Sequence, residues 1–182
     1  MGRLYDVIDD TTRQWLAKQP VFFVATAPND PDGHVNLSPK GAAGAFRVLG
    51  PTRVAYVDLV GSGVETAAHL RENGRIVLMF CAFAGPPKIV RLHGRARVLP
   101  LTSKLRTEFA DHIGARAIID VAVTRVSDSC GYGVPKFGAP EPREALDMWT
   151  QKKGAEGLAA YRRQKNARSI DDLPALAPED EA

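Results

Sequence analysis

Residues 88–99 read Lys-Ile-Val-Arg-Leu-His-Gly-Arg-Ala-Arg-Val-Leu, and their alternation decides the fold class. Val90, Leu92, Ala96 and Val98 share one face with Gly94, while Ile89, Arg91, His93, Arg95 and Arg97 share the other. Side chains of a strand point alternately to opposite faces. A period of two therefore puts one face on a core and the other toward solvent, a ligand or a partner. Upstream, residues 75–83 form a strongly apolar run, and 21–27 (Val-Phe-Phe-Val-Ala-Thr-Ala) read as a strand buried on both faces. Further strands are expected over 34–39, 53–58 and 116–126, separated by turns such as Asn29-Asp30-Pro31-Asp32-Gly33, Gly50-Pro51 and Gly85-Pro86-Pro87.

Helical stretches are expected from Asp10 to just before Pro20, from Gly61 to a stop at Asn73-Gly74, over Thr102 to His112 and over Pro142 to Asn166. Short strands at hairpin spacing, with few helices between them, favour an antiparallel barrel. A doubly wound sheet needs a helix between nearly every pair of strands. The expectation is a mainly β (α+β) fold: a six-stranded antiparallel barrel with flanking helices over 1–140, then a C-terminal helix and flexible tail over 141–182. The tail from Asp171, rich in proline and acid, is expected to be loosely held.

The 182 residues, 45% hydrophobic and 25% charged, suffice for one domain with a real core. A net charge of +3 does not by itself call for nucleic acid, and the arginine face of 88–99 lacks the interleaved aromatics of a strand-binding groove. No run approaches the ~18 apolar residues of a membrane span. The N-terminus lacks a secretory signature, so a cytoplasmic protein is expected. Two cysteines, Cys81 and Cys130, make neither a disulfide framework nor a zinc site. His34, His69, His93 and His112 show no ligand spacing, so no metal site is expected.

Three segments carry possible chemistry. Gly61-Ser62-Gly63-Val64-Glu65-Thr66 follows a strand and opens a helix, where free amides and small residues admit a phosphate. The same Ser62-x-x-Glu65 spacing also fits a capping box that would consume those amides. Asn36-Leu37-Ser38-Pro39-Lys40-Gly41 places a hydroxyl and a lysine beside a glycine, suiting either a ligand's polar edge or a solvated turn. The Arg91, His93, Arg95, Arg97 face reads either as an anion site or as an exposed barrel wall.

The order of these segments resembles the FMN-binding split barrels related to pyridoxamine 5'-phosphate oxidase, over roughly residues 8–135. The resemblance rests on Ser38-Pro39-Lys40-Gly41 closing a strand and on the strand 53–58 leading into Gly61–Thr66. It rests also on the helix ending Arg71-Glu72-Asn73-Gly74-Arg75 and on the strand with His93-Gly94-Arg95-Ala96. It implies a six-stranded split barrel that forms a homodimer with FMN in clefts between subunits. By position, Ser38, Pro39, Lys40 and Gly41 lie along the flavin ring, with Ser38 as a hydrogen-bond donor and Lys40 as a charge near the ring's pyrimidine end. Ser62, Gly63 and Thr66 lie near the phosphate, and Arg91 and His93 border the flavin. The oxidases carry Arg-Lys where this chain has Glu65-Thr66, and a C-terminal arginine–histidine motif absent here. The implied activity is thus an FMN-dependent oxidoreductase other than that oxidase, with no catalytic residue assigned. The alternatives within the fold are F420 or haem as ligand, or flavin binding without turnover; a small-molecule substrate is expected, without a membrane or nucleic-acid partner.

Overall fold

The computed structural model describes residues 2–138 and 140–176. Its strands are β1 (Leu4–Tyr5), β2 (Phe22–Thr26), β3 (Asn36–Lys40), β4 (Phe46–Gly50), β5 (Arg53–Leu59), β6 (Arg75–Cys81), β7 (Ile89–Leu99) and β8 (Ala115–Ser129). The helices are α1 (Asp10–Ala17), α2 (Glu65–Glu72) and α3 (Ala145–Lys165), with a 3₁₀ turn over Lys104–Glu108. Every strand pairing is antiparallel, in the order β3-β2-β6-β7-β8-β5-β4, and β1 pairs with the end of β8. The mainly β, split-barrel class is as expected, but the described residues hold eight strands rather than six. The additional ones are the two-residue β1 and β4, which lies just ahead of the Gly50-Pro51 turn.

Alternation in β7 does what its sequence implies: Val90 and Leu92 are fully buried while Arg95 and Arg97 face outward. The register shifts between His93 and Gly94, where a Cβ on Gly94 would lie 2.2 Å from the carbonyl oxygen of Ala122. Only glycine admits that approach of two backbones.

The sheet curls until its two ends meet without pairing. Phe22 of β2 lies 5.4 Å from Phe46 of β4 and 5.4 Å from Tyr56 of β5, and Phe80 of β6 stacks on Phe22 at 5.2 Å and meets Phe46 at 5.0 Å. These rings, together with Val24, Leu78, Leu92 and Ile119, fill the barrel. Each aromatic pair adds about 0.5–1.5 kcal/mol beyond its buried area. The seam between β3 and β4 is thus closed by side chains alone.

Around the barrel, α1 is capped by Asp9, whose carboxylate accepts from the Thr12 amide at 2.7 Å. The helix α2 ends at Asn73 with Gly74 at φ +70°, the left-handed stop the sequence indicates. The helix expected over 102–112 shrinks to the 3₁₀ turn, because Phe109 and Leu105 are drawn into a second apolar cluster on the outer face of β5 and β8. The helix α3 breaks at Gly154 (φ +64°). The segment expected to be loose from Asp171 is anchored as far as Leu176. Residues 166–176 turn back on themselves through Ala175 N–H to Ala167 O and Leu176 N–H to Asn166 O, and Ala175 packs against Ala67 and Ala68 of α2. The rest of the tail lies outside the described residues.

Gly94→Ala is expected to destabilise the fold by about 1–3 kcal/mol, since the added methyl meets the Ala122 carbonyl. Gly50→Ala, with open space at its Cβ, is the control. Urea midpoints of the two variants against the parent check this.

Candidate functional site

Beside the seam, the end of β3, the β5–α2 loop and the segment leading into α3 enclose a cleft of about 1140 Å³. Ser38, Pro39, Lys40, Gly41, Ser62, Gly63 and Thr66 all line it, so seven of the nine residues singled out by resemblance are brought together. Arg91 and His93 are not. Arg91 donates to Ser129 Oγ at 3.1 Å, and His93 faces Arg125 across the β7–β8 ladder. Burial, then Arg125 and Arg91, depress the His93 pKa, so its imidazole stays neutral near pH 7. The rest of the arginine face is engaged within the chain: Arg95 donates to the Asn73 carbonyl, and Arg97 pairs with Asp120 at 2.9 Å alongside Arg53.

The cleft is organised by Asp58, 1% exposed at the end of β5. Its Oδ1 accepts from Lys40 Nζ at 2.9 Å and its Oδ2 from Arg116 Nε at 2.7 Å. Burial alone would push this carboxyl up, but Arg116 and Lys40 together outweigh it and hold the pKa below the ordinary value. Two cations against one carboxylate leave the cluster a net +1. Arg116 continues to the loop, donating to the Gly63 carbonyl at 2.9 Å and the Gly61 carbonyl at 3.3 Å. A trans peptide directs its N–H opposite its C=O, so the Ser62 and Val64 amides turn away from the guanidinium.

The capping box does not form. The N-cap of α2 is Val64, with no side-chain cap, and Glu65 instead accepts from the Ile170 amide at 3.3 Å. The first-turn amides of α2 therefore stay free of side-chain caps. Gly61 has open space where a Cβ would stand. Asn166 Nδ2 holds the Gly61 carbonyl from the C-terminal side at 2.9 Å.

A second network fixes the hydroxyls. Asn36 Nδ2 donates to both Thr66 Oγ1 and Thr26 Oγ1 at 3.0 Å, and its Oδ1 accepts from Ser38 Oγ at 2.8 Å. Thr66 already accepts, so its own proton is left for a ligand. Ser38 spends its proton on Asn36, so it offers a ligand lone pairs only. The donor expected at Ser38 is here turned toward Asn36. Thr26 in turn meets His69 Nδ1 at 3.0 Å, which ties the ring of α2 into the same network. Burial, before any charge, lowers the His69 pKa and keeps this fully buried ring neutral.

The residues suit a flavin phosphate. An uncapped helix start, a hydroxyl donor at Thr66 and the Lys40–Asp58–Arg116 cluster line the cleft, with Glu65 as an acid beside Gly63, and Val21, Pro39, Val57 and Leu59 add apolar wall. Among the described residues there is no cluster of three or more potential metal ligands, and no helix is long and apolar enough to cross a membrane.

The family model for pyridoxamine 5'-phosphate oxidase matches residues 8–130. This chain belongs to that family. It is 40% identical to the pyridoxamine 5'-phosphate oxidase family protein ustO of Aspergillus flavus, covering 97% of this chain and 78% of that protein. Among solved structures it is similar to a putative pyridoxamine 5'-phosphate oxidase from Lactobacillus delbrueckii (TM-score 0.51, 17% identity, 67% of this chain and 94% of that one). It is also similar to HupZ from Group A Streptococcus (TM-score 0.50, 18% identity, 65% and 91%). At such identities these two establish the fold alone. The matched span holds every lining element of the cleft except the segment leading into α3 and Leu146 in its first turn.

Sequence reasoning missed Asp58 and Arg116, and named Asn36 only as the head of its segment with no role of its own. Asp58 and Arg116 each interrupt an apolar strand with a charge, Val-Ala-Tyr-Val-Asp-Leu and Arg-Ala-Ile-Ile, and that was the available signal. Asp58→Asn leaves Lys40 and Arg116 unmatched and is expected to cost about 3–5 kcal/mol near neutral pH. The depressed carboxylate stabilises the fold above its unfolded pKa of ~3.9 and loses that contribution as pH falls through its folded value. The deficit of the variant should therefore narrow in acid, which urea unfolding at pH 7 and pH 3 will measure.

Proposed function

We propose that this protein binds FMN in the cleft and acts as a flavin-dependent oxidoreductase distinct from pyridoxamine 5'-phosphate oxidase. The observation that carries the reading is the uncapped start of α2, with Thr66 and the Arg116-held glycine loop, in a cleft that also has apolar walls. Membership of the family supports a flavin as the ligand. Bound there, the flavin supplies hydride transfer.

The chain's own residues bind and orient. Thr66 and the α2 amides donate to the phosphate, and Ser38 accepts from an N–H on the ring edge. Lys40, fixed by Asp58, sets a positive charge beside that edge, and Val57 and Leu59 keep water from the ring's face. Glu65 in place of a basic residue, and the family's absent C-terminal arginine–histidine motif, argue for a substrate other than pyridoxamine phosphate.

Added FMN should stay with the protein through gel filtration, with flavin bands between 300 and 600 nm. Thr66→Ala should weaken FMN by about threefold to tenfold, the worth of one hydrogen bond, and Lys40→Ala by at least as much. Unchanged affinity in both variants would remove this site.

The active form we propose is a homodimer in which the cleft is completed by a second copy. Leu37 and Val35 lie 64% and 74% exposed at the free edge of the sheet, and the cleft stands open to solvent. Sedimentation should give twice the 19.7 kDa chain mass. A monomer that retains FMN would refute the pairing. Two unpaired cysteines, Cys81 and Cys130, suit a reducing, cytoplasmic setting.

A further inference from the structure

A second cavity of about 1020 Å³ opens beside the first, and the two share Pro20, Phe83, Phe137, Gly138 and Pro140 as walls. Its chemistry differs. Arg3, Lys18 and Lys88 line it, with Asp128 as the acid among them, so three cations against one carboxylate leave +2. Asp128 is already consumed: Oδ1 accepts from the Arg3 amide at 2.9 Å and Oδ2 from the Tyr5 hydroxyl at 2.7 Å. Burial pushes the Asp128 carboxyl up, but those two bonds and the nearby charges of Lys88 and Arg3 bring it below its ordinary value, so it stays an anion with its oxygens engaged.

Neither Lys18 nor Lys88 has an ion-pair partner among the described residues. Lys88 rests its ammonium 5.3 Å over the ring of Trp15, and Asp9 nearby is engaged as the cap of α1. The remaining walls are flat and apolar. Phe83 and Phe137 pack at 5.2 Å on the side shared with the first cavity, and Tyr132 stands 82% exposed.

We propose that this second cavity is the substrate pocket and takes a small aromatic carboxylate, its anionic group on Lys18 and on Lys88 above Trp15, and its ring against Phe83 and Phe137. The pairing follows from the chemistry: two ammonium groups without an ion-pair partner attract a carboxylate, and the aromatic side chains beside them give a ring an apolar surface to rest on. The shared wall at Phe83 and Phe137 brings the far end of such a ligand to the mouth of the first cavity, where the flavin ring is placed. The proposal rests on the flavin reading for its catalytic meaning but not for its binding site, and the two are separable by experiment.

The chain has two tryptophans, so Trp149→Phe leaves Trp15 as the reporter in the pocket. Naphthalene-1-carboxylate is titrated against the uncharged naphthalene-1-methanol, with Trp15 fluorescence as the readout, with and without FMN. The carboxylate is expected to bind at least tenfold tighter than the alcohol. Lys18→Gln/Lys88→Gln, at solvent-accessible positions, should abolish that preference while melting like the parent and binding FMN with unchanged affinity. Equal binding of the two naphthalenes, or a preference that survives the double substitution, would overturn the proposal even if FMN binds. A carboxylate preference lost with the two lysines, in a protein that ignores FMN, would uphold the anion pocket and overturn only the flavin reading.

Discussion

A carboxylate taken almost wholly out of water holds the two ends of this sheet in register with the loop that faces the cleft. Asp58 draws Lys40 from the edge strand β3 and Arg116 from β8, and Arg116 reaches on to the carbonyls of Gly61 and Gly63. Desolvation offsets most of the attraction within such a buried cluster, so its contribution lies in position more than in net stability. Move any of the three and both the split and the loop shift, because one set of charges serves both. The outward turn of the Ser62 and Val64 amides is therefore a consequence of barrel closure. It needs no capping residue of its own, and Glu65 is free to hold the C-terminal segment instead.

The outline of the fold was legible in short-range pattern. The period of two over 88–99 and the turn chemistry at Gly74 each encode local geometry, and the structure follows them, while the register shift at Gly94 emerges only from the pairing with β8. What escaped was set at long range or by scale. The two-residue β1 is too short to show any period, and β4 runs directly into its turn. The stretch 102–112 has helical composition but is pulled apart by burial of Phe109 against β5 and β8. In the cleft, the glycine loop and the Ser38–Gly41 strand could be found because their residue types announce them. Asp58 and Arg116 are 58 positions apart and become partners only once β5 and β8 pair. The direction of the Ser38 hydroxyl depends likewise on Asn36, whose two ends sort donor from acceptor.

The C-terminal segment belongs to the same economy. Asn166 holds the Gly61 carbonyl, Ile170 occupies Glu65, and Asp171 accepts from both the amide and the ring of His34. The side-chain bonds from His34, together with its amide bond, keep the Asp171 carboxyl below the usual range. Residues far apart along the chain thus meet around the loop and the start of α2. The Gly61 carbonyl is thereby gripped from two directions, by Asn166 and by Arg116.

The aromatic seam has a consequence for motion. Phe22, Phe46, Tyr56 and Phe80 join the sheet's two ends by ring contacts, and no ladder of backbone hydrogen bonds crosses between β3 and β4. Rings can slide and re-tilt through small steps at little cost, whereas a ladder yields only by breaking bonds one at a time. The barrel can therefore widen and narrow along one line while every paired strand stays paired, and that line runs beside the cleft. A flat ligand entering there would be met by a wall that gives, tethered at its end by a single lysine.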